Sequence, residues 1–446
     1  MKNESLGVTA HILAEPNAIG DESAKGRSYK WYILGLLVLG SVMNTVDRAV
    51  ISVVVEPLKA EFHLADKQIG MLHMAFGVTC AAALLPMGWL IDRVNRRVLL
   101  SVAITAWSVL TALSAFASNF ATLLVARMGV GIGEAPGPPA SLSLIADIFP
   151  IRQRNTAVSI YFSGSPLGQL LMFIGGGWLL MHFNWRAVFL VAGGPGLVLG
   201  ALLFFTTREP KRGAFDAPHP QDGKAARDPL KDVFRSIFGN SALCYAILGM
   251  TIATGVSYSV VIWTTSFLVR VHGLSVSQGA ISTGIGFGLC ATIGSLVIGP
   301  IADRFSKGNQ RKLALIPLVA TLVAFLGGMV MVLGDTLGVA LAGLAVLALM
   351  TAFFASTGYS LIISLADPRY RGTTLALAKL SFTLLGDGPI PLLTGTLSDA
   401  IGGPHSLRPA FLCTMTLSLA ATFCYARVHK IVRGRENPAA ASLAAT

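Results

Sequence analysis

Arg127-Met-Gly-Val-Gly-Ile-Gly-Glu134 and Asn44-Thr-Val-Asp47-Arg48 decide how this chain is read. Each places one acid and one guanidinium inside an apolar run long enough to cross a bilayer. Charge at that depth is costly and usually functional. Arg127 and Glu134 are seven residues apart, two helical turns, and so share a helix face. Gly129, Gly131 and Gly133 thin the helix between them, so another backbone can approach closely. The pattern predicts a polar, titratable centre buried in a membrane protein.

Working outward, the composition agrees. Of 446 residues 53% are hydrophobic and only 13% charged, where soluble domains run near a quarter charged. At about 20 apolar residues per crossing, the runs divide into twelve spans. They lie near residues 31–55, 69–91, 98–117, 121–148, 156–181, 186–205, 242–270, 278–302, 313–333, 338–364, 373–397 and 407–427. The fold class expected is therefore an all-α membrane protein.

The net charge of +12 invites a nucleic-acid reading, but its placement argues otherwise. Of 34 Lys and Arg, 26 fall in the tails and in loops on the amino-terminal side. Lys59, Lys67, Arg186, Arg270 and Arg408 fall on the other side; Arg48, Arg127 and Lys379 lie within spans. This bias puts both termini in the cytoplasm. The five cysteines sit in apolar segments at unrelated positions, with no metal or disulfide spacing. Residues 1–30 are polar and read as a cytoplasmic tail without a cleavable signal.

Residues 31–206 form a first bundle of six spans, 207–241 a charged cytoplasmic linker, 242–430 a second bundle and 431–446 a cytoplasmic tail. A short surface helix is expected in the linker near residues 229–238. The halves echo each other, as a repeat requires. Gly88-x3-Asp92-Arg93 recurs as Gly299-x3-Asp303-Arg304 after the second span of each half. Asp147-x4-Arg152-x-Arg154 is echoed by Asp367-x-Arg369-x-Arg371 after the fourth. Two parallel six-span repeats about an axis along the membrane normal describe one known transporter architecture.

On these motifs the chain resembles the major facilitator superfamily over residues 31 to 430. The resemblance implies that Asp92 and Asp303, with Arg93, Arg96, Arg97, Asp147 and Arg304, gate the inner side. Asn95 departs from the pattern, where a glycine is common. Asp47-Arg48 with Arg127-x6-Glu134-Ala135, Gly131-x-Gly133 and Ala146-Asp147-x-Phe149-Pro150 narrow the match. They resemble bacterial Spinster-type transporters and the anion:cation symporters of sugar acids and aromatic carboxylates. In both groups the matching acids carry protons. In the symporters the matching arginines hold the substrate's carboxylate.

Depth supports contact within the centre. At 1.5 Å per residue, Asp47 lies roughly 24 Å from the inner face and Arg127 roughly 9 Å from the outer one. In a core of about 30 Å the two are near one level, with Glu134 deeper. An anion that takes Arg48 or Arg127 displaces an acid from its partner, and a proton replaces that partner. Asp47 and Glu134 are thus the proton sites expected, and Arg48, Arg127 and Asn44 substrate contacts. The bland alternative is that Asp47–Arg127 and Arg48–Glu134 only neutralise each other.

Further candidates are more evenly balanced. Lys379 and Asp387 stand about 80° apart on a helix, beside Gly386-Asp387-Gly-Pro389-Ile-Pro391, a broken segment. They read equally as a substrate contact or a salt link. Tyr161, Ser165 and Gln169 form a polar stripe that suits a sugar-like substrate or interhelical hydrogen bonding. His73 reads more readily as a satisfied histidine than as a proton relay. Pro136-Gly-Pro138-Pro139 must loosen span four.

The lone Gly-x-Gly-x-Gly lies mid-membrane and cannot be a phosphate loop, and no paired catalytic constellation emerges. The expectation is a secondary transporter, not an enzyme, working as a monomer in a bacterial inner membrane. It needs no cofactor beyond the proton gradient and carries small organic anions. The alternative is a carrier of an amphipathic, lipid-related molecule.

Overall fold

The computed structural model describes residues 24–210, 212, 230–307, 309–367 and 370–436. In chain order its helices are α1 (Ala24–Phe62), α2 (Asp66–Arg93), α3 (Arg96–Ser114), α4 (Phe120–Glu134), α5 (Gly137–Ile148), α6 (Ile151–His182) and α7 (Trp185–Thr206). After the linker come α8 (Leu230–Gly239), α9 (Ser241–His272), α10 (Val276–Thr283), α11 (Cys290–Ser306), α12 (Gln310–Leu333) and α13 (Leu337–Leu365). α14 (Arg371–Ser381), α15 (Pro389–Ile401) and α16 (Leu407–Glu436) complete the chain. α10–α11 and α14–α15 are each joined by a wider π-helical stretch, Gly284–Leu289 and Phe382–Asp387. α8 falls where the linker helix is expected; residues 213–229 of the linker lie outside the described residues.

Among the described residues nine helices are long and apolar enough to cross a membrane unaided. Three more crossings, α2, the broken pair α4–α5 and the pair α14–α15, make twelve. Helix ends are fixed locally by side chains that satisfy otherwise orphaned amides. Asn95, Asn119, Asn184, Asn240, Ser275, Asn309 and Thr336 each cap the helix that follows. Gly273 ends α9 in a left-handed conformation, φ 69°, open to glycine at no steric cost.

The two bundles pack through α2 on α15, α6 on α10 and its π stretch, and α1 on α9. All of these contacts fall on the side away from the termini. There Arg270 of the second half donates to Glu56 at 2.7 Å and to Asp66 at 2.7 Å in the first. Lys59 also bonds Asp66. Ser398 donates to Asp66 at 2.7 Å, and the Asp399 carboxylate accepts the Asp66 and Lys67 amides at 2.9 and 2.7 Å. An acid from one half thus caps the amino terminus of a helix in the other, where the helix dipole favours negative charge. A Cβ on Gly395 would stand 2.6 Å from the Asp66 carbonyl oxygen, so only glycine admits this approach. Toward the terminal side the bundles part around a cavity. The molecule is closed on the far side and open on the side of its termini.

Asp66 lies in the far-side connection, ahead of the apolar run that begins at Ile69. Burial alone would raise its pKa, but the hydrogen bonds and charge of Arg270, with Lys59 and Ser398, hold it down to about 2. A lowered acid stabilises the paired state above its ordinary value and loses that contribution as pH falls through the folded value. The lock is therefore fully formed above about pH 4 and weakens only toward pH 2. Transport that varies between pH 5 and 8 takes its pH dependence from elsewhere.

Arg270→Ala should release the lock. A charge-assisted hydrogen bond contributes about 1.5–3 kcal/mol, so losing one shifts the balance of states by roughly tenfold or more. Spin labels at His63 and Gly403, exposed on the far side of opposite halves, should report a new long-distance population in the variant. An unchanged distance distribution would show that the ion pairs do not hold this side shut.

Candidate functional site

Glu134 is the last residue of α4, and its position follows from the prolines behind it. Pro138 and Pro139 have no amide to offer the carbonyls of Glu134 and Ala135, and Pro136 none for Ile132. The helix therefore stops at Glu134 and restarts at Gly137. Close packing then brings α2 against this stretch. A Cβ on Gly131 would stand 2.5 Å from Thr79 Oγ1 and 2.6 Å from the Phe76 carbonyl oxygen. Gly131→Ala should therefore push α2 and α4 apart and lower stability by about 1–3 kcal/mol. Thermal unfolding in detergent would read this as a fall in midpoint; an equal midpoint would show slack at this contact.

The two charged stretches meet. Arg48 Nε donates to Glu134 Oε2 at 2.9 Å, and Asn44 Nδ2 donates to the same oxygen at 2.8 Å. Glu134 is fully buried, whereas the Arg48 side chain stays 27% exposed. Only Nε of Arg48 has a protein acceptor among the described residues. Its two terminal nitrogens are left for something else.

Arg127 turns the other way. It donates to the Asp47 backbone carbonyl and to Thr111 Oγ1, both at 3.0 Å, with its guanidinium 5.8 Å from the Phe189 ring centre. It thus meets the backbone of Asp47, not its carboxylate. Both Asp47 carboxylate oxygens are buried without a hydrogen bond, beside Thr111, Trp107 and the Arg127 charge. Asp47 and Arg127 share a level, as the depth arithmetic expects, but they are not a closed ion pair.

Two cavities flank Arg48. One, of about 420 Å³, is walled by α2 (His73 to Leu84), by Glu134, Ala135 and α5 (Pro138 to Leu142), and by Gly372 to Asp387. Leu84, Leu142, Leu375, Ala376 and Leu380 make most of it apolar, with Arg48, Glu134, Lys379 and Asp387 as its charges. The other, about 330 Å³, is lined by Asn44, Thr45, Arg48, Ser52, Ser165, Gln169, Ser257, Tyr258, Ser295 and Thr351, with Val261, Phe287, Pro166 and alanines between them. Arg48 is its only charge. Among the described residues no group of three His, Cys, Asp or Glu side chains is placed to hold a metal ion.

The structure sorts the remaining candidates. Gln169 and Ser165 line the polar cavity, but Tyr161 does not. Four-residue steps on a helix drift about 40° each, so two steps turn Tyr161 into the first bundle, buried beside Ser41 and Ser141. Arg127 is 3% exposed and lines neither large cavity, only a small gap it shares with Arg48 and Tyr258. Lys379 and Asp387 form the salt link, Nζ 3.7 Å from Oδ2, and both line the apolar cavity. They meet because the π stretch adds about one residue, or roughly 100°, to the turn between them. His73 lines the apolar cavity with Nδ1 3.2 Å from the Ile69 carbonyl oxygen.

The described contacts of Arg93, Arg96 and Arg97 stay within the first half and the start of the linker. Arg96 bonds Asp147 and, at 2.8 Å, Glu209; Arg97 donates to the Thr207 carbonyl oxygen at 2.7 Å. Arg93 folds back on Trp89, and Asp303 and Arg304 are exposed. The Asp92 side chain lies outside what is described. Tyr258 lines both cavities and is a side chain that sequence reasoning missed. Its signal was polar residues at 254, 257 and 258, a helical face in an otherwise apolar span.

The Major Facilitator Superfamily model matches residues 37–386. The chain belongs to that superfamily. Among its relatives is an MFS-type efflux pump of Mycolicibacterium smegmatis, 26% identical, with 89% of this chain and 91% of the pump covered. A D-galactonate transporter of Escherichia coli is 27% identical, with 90% and 96% covered. Among solved structures, an inward-facing, unoccupied bacterial homolog of the human lysosomal transporter Spinster matches with a TM-score of 0.80 at 27% identity. It covers 90% of this chain and 97% of that one. This superfamily member is a multi-pass membrane transporter, and the cavities around Arg48 lie where its two bundles part.

Proposed function

We propose that this transporter is a proton-coupled symporter of small organic anions in a bacterial inner membrane, with both termini cytoplasmic. One observation carries the reading: a half-buried arginine held at Nε by a buried acid, with its terminal nitrogens free inside a cavity between the bundles. A guanidinium fork matches a carboxylate in two parallel hydrogen bonds. An anion arriving there competes with Glu134 for Arg48. A buried carboxylate left without its cation is expensive, and a proton removes the charge. Asp47, whose carboxylate accepts no hydrogen bond from Arg127, is the second proton site. Anion and proton thus enter together, and the gradient supplies the driving force without a cofactor.

The hydroxyl- and amide-rich cavity beside Arg48 and the resemblance to a D-galactonate transporter support a carboxylate with a polar body. A second reading, an amphipathic substrate, draws on the apolar wall of the larger cavity and the Spinster-like structure. Uptake into proteoliposomes under an inward proton gradient, with hydroxylated and aryl carboxylates and lysolipids compared, tests both. Carboxylate accumulation that collapses with a protonophore supports the first. Transport of lysolipids alone would replace it with the second.

A further inference from the structure

Arg48 and Tyr258 are the two side chains that line both large cavities. They come from opposite halves, α1 and α9. The small gap of about 10 Å³ between Arg48 and Arg127 is bordered by Tyr258 as well. The Tyr258 ring is held edge-to-face against His73, centroids 6.4 Å apart, and its hydroxyl has no partner among the described residues. The two cavities differ in kind: one uncharged apart from Arg48 and rich in hydroxyl and amide groups, the other largely leucine and alanine with Glu134, Lys379 and Asp387.

We propose that Tyr258 is the specificity-determining residue of this transporter. With Arg48 it grips the anion head from the opposite half, and its ring is the partition that decides which cavity receives the body of the substrate. The inference rests on the anion reading above and deepens it. A phenol hydroxyl donates one hydrogen bond to a carboxylate, so the head is held by both halves at once. A rigid aromatic wall fixed by His73 separates a hydroxylated body on one side from an apolar body on the other.

Two substitutions separate the two roles. Tyr258→Phe keeps the wall and removes the donor, so the KM for every carboxylate should rise by the same factor. A hydrogen bond to a charged group corresponds to a loss of about tenfold or more. Tyr258→Ala removes the wall as well, so the ratio of KM values for an aldonate and an aryl carboxylate should shift toward one. Uptake of both probes by wild type and both variants is the measurement. Unchanged KM in Tyr258→Phe, or an unchanged ratio in Tyr258→Ala, overturns the proposal while leaving the anion reading intact. Failure of wild type to carry either carboxylate sinks that reading, and this one with it. A variant with altered KM but normal exchange at saturation also shows that the loss is not one of folding.

Discussion

Arg48→Ala should reduce carboxylate uptake by at least a hundredfold, the largest single effect expected in this molecule. The substitution removes the fork that faces the cavity, and two charge-assisted hydrogen bonds at about 1.5–3 kcal/mol each exceed a hundredfold in affinity. It also strands Glu134, fully buried and then held only by Asn44. Breaking a buried pair from one side costs about 3–5 kcal/mol, so the single variant should also unfold at lower temperature. The double variant Arg48→Ala/Glu134→Gln removes that stranded charge, so it should regain stability without regaining uptake. Arg48→Lys keeps the charge but loses the planar fork and should fall between. Carboxylate affinity in the double variant equal to wild type would show that the anion binds elsewhere.

Accumulation against a gradient should vanish in Glu134→Gln while exchange survives. Glutamine has the shape of a protonated glutamate and can still meet Asn44 and Arg48, so the loaded carrier keeps its route between states. What it cannot do is release a proton. Asp47→Asn should act in the same direction, since the buried Asp47 carboxylate bonds nothing that the amide would disrupt. Uptake and exchange measured in the same vesicles separate the two processes. Both variants still concentrating substrate under an inward proton gradient would reduce the two acids to structural partners. A split result, with one variant uncoupled and the other normal, would assign the coupling proton to a single acid.

How much of this was legible in the sequence depends on the distance over which each signal acts. Buried charge is legible because a bilayer makes it costly wherever it stands, so Asp47, Arg48, Arg127 and Glu134 stood out singly and their meeting followed from depth. The break after Glu134 was legible because a proline has no amide in any context. The pairing was not, because which atom of Asp47 meets Arg127 depends on how α1 and α4 rotate. The salt link of Lys379 and Asp387 was half legible: the prolines at 389 and 391 marked a break, but a ruler of 3.6 residues per turn does not carry across the π stretch before it. Tyr161 misled for a related reason: a stripe at four-residue spacing leaves the face it starts on. Tyr258 was overlooked because a tyrosine in an apolar span is unremarkable until the opposite half supplies Arg48.

The two broken crossings, α4–α5 and α14–α15, both wall the larger cavity. Each breaks beside an acid, Glu134 or Asp387, and that has a consequence during synthesis. Such segments gain little by leaving the translocation channel for lipid on their own. Each is held by the helices it packs on, α2 and α3 for α4, α2 and α16 for α15. The order in which the ribosome delivers helices therefore matters more here than in a bundle of uniformly greasy spans. A nascent chain halted after Ile401 would hold α15 against α2 but without α16, and should be cleaved faster by added protease than the full chain.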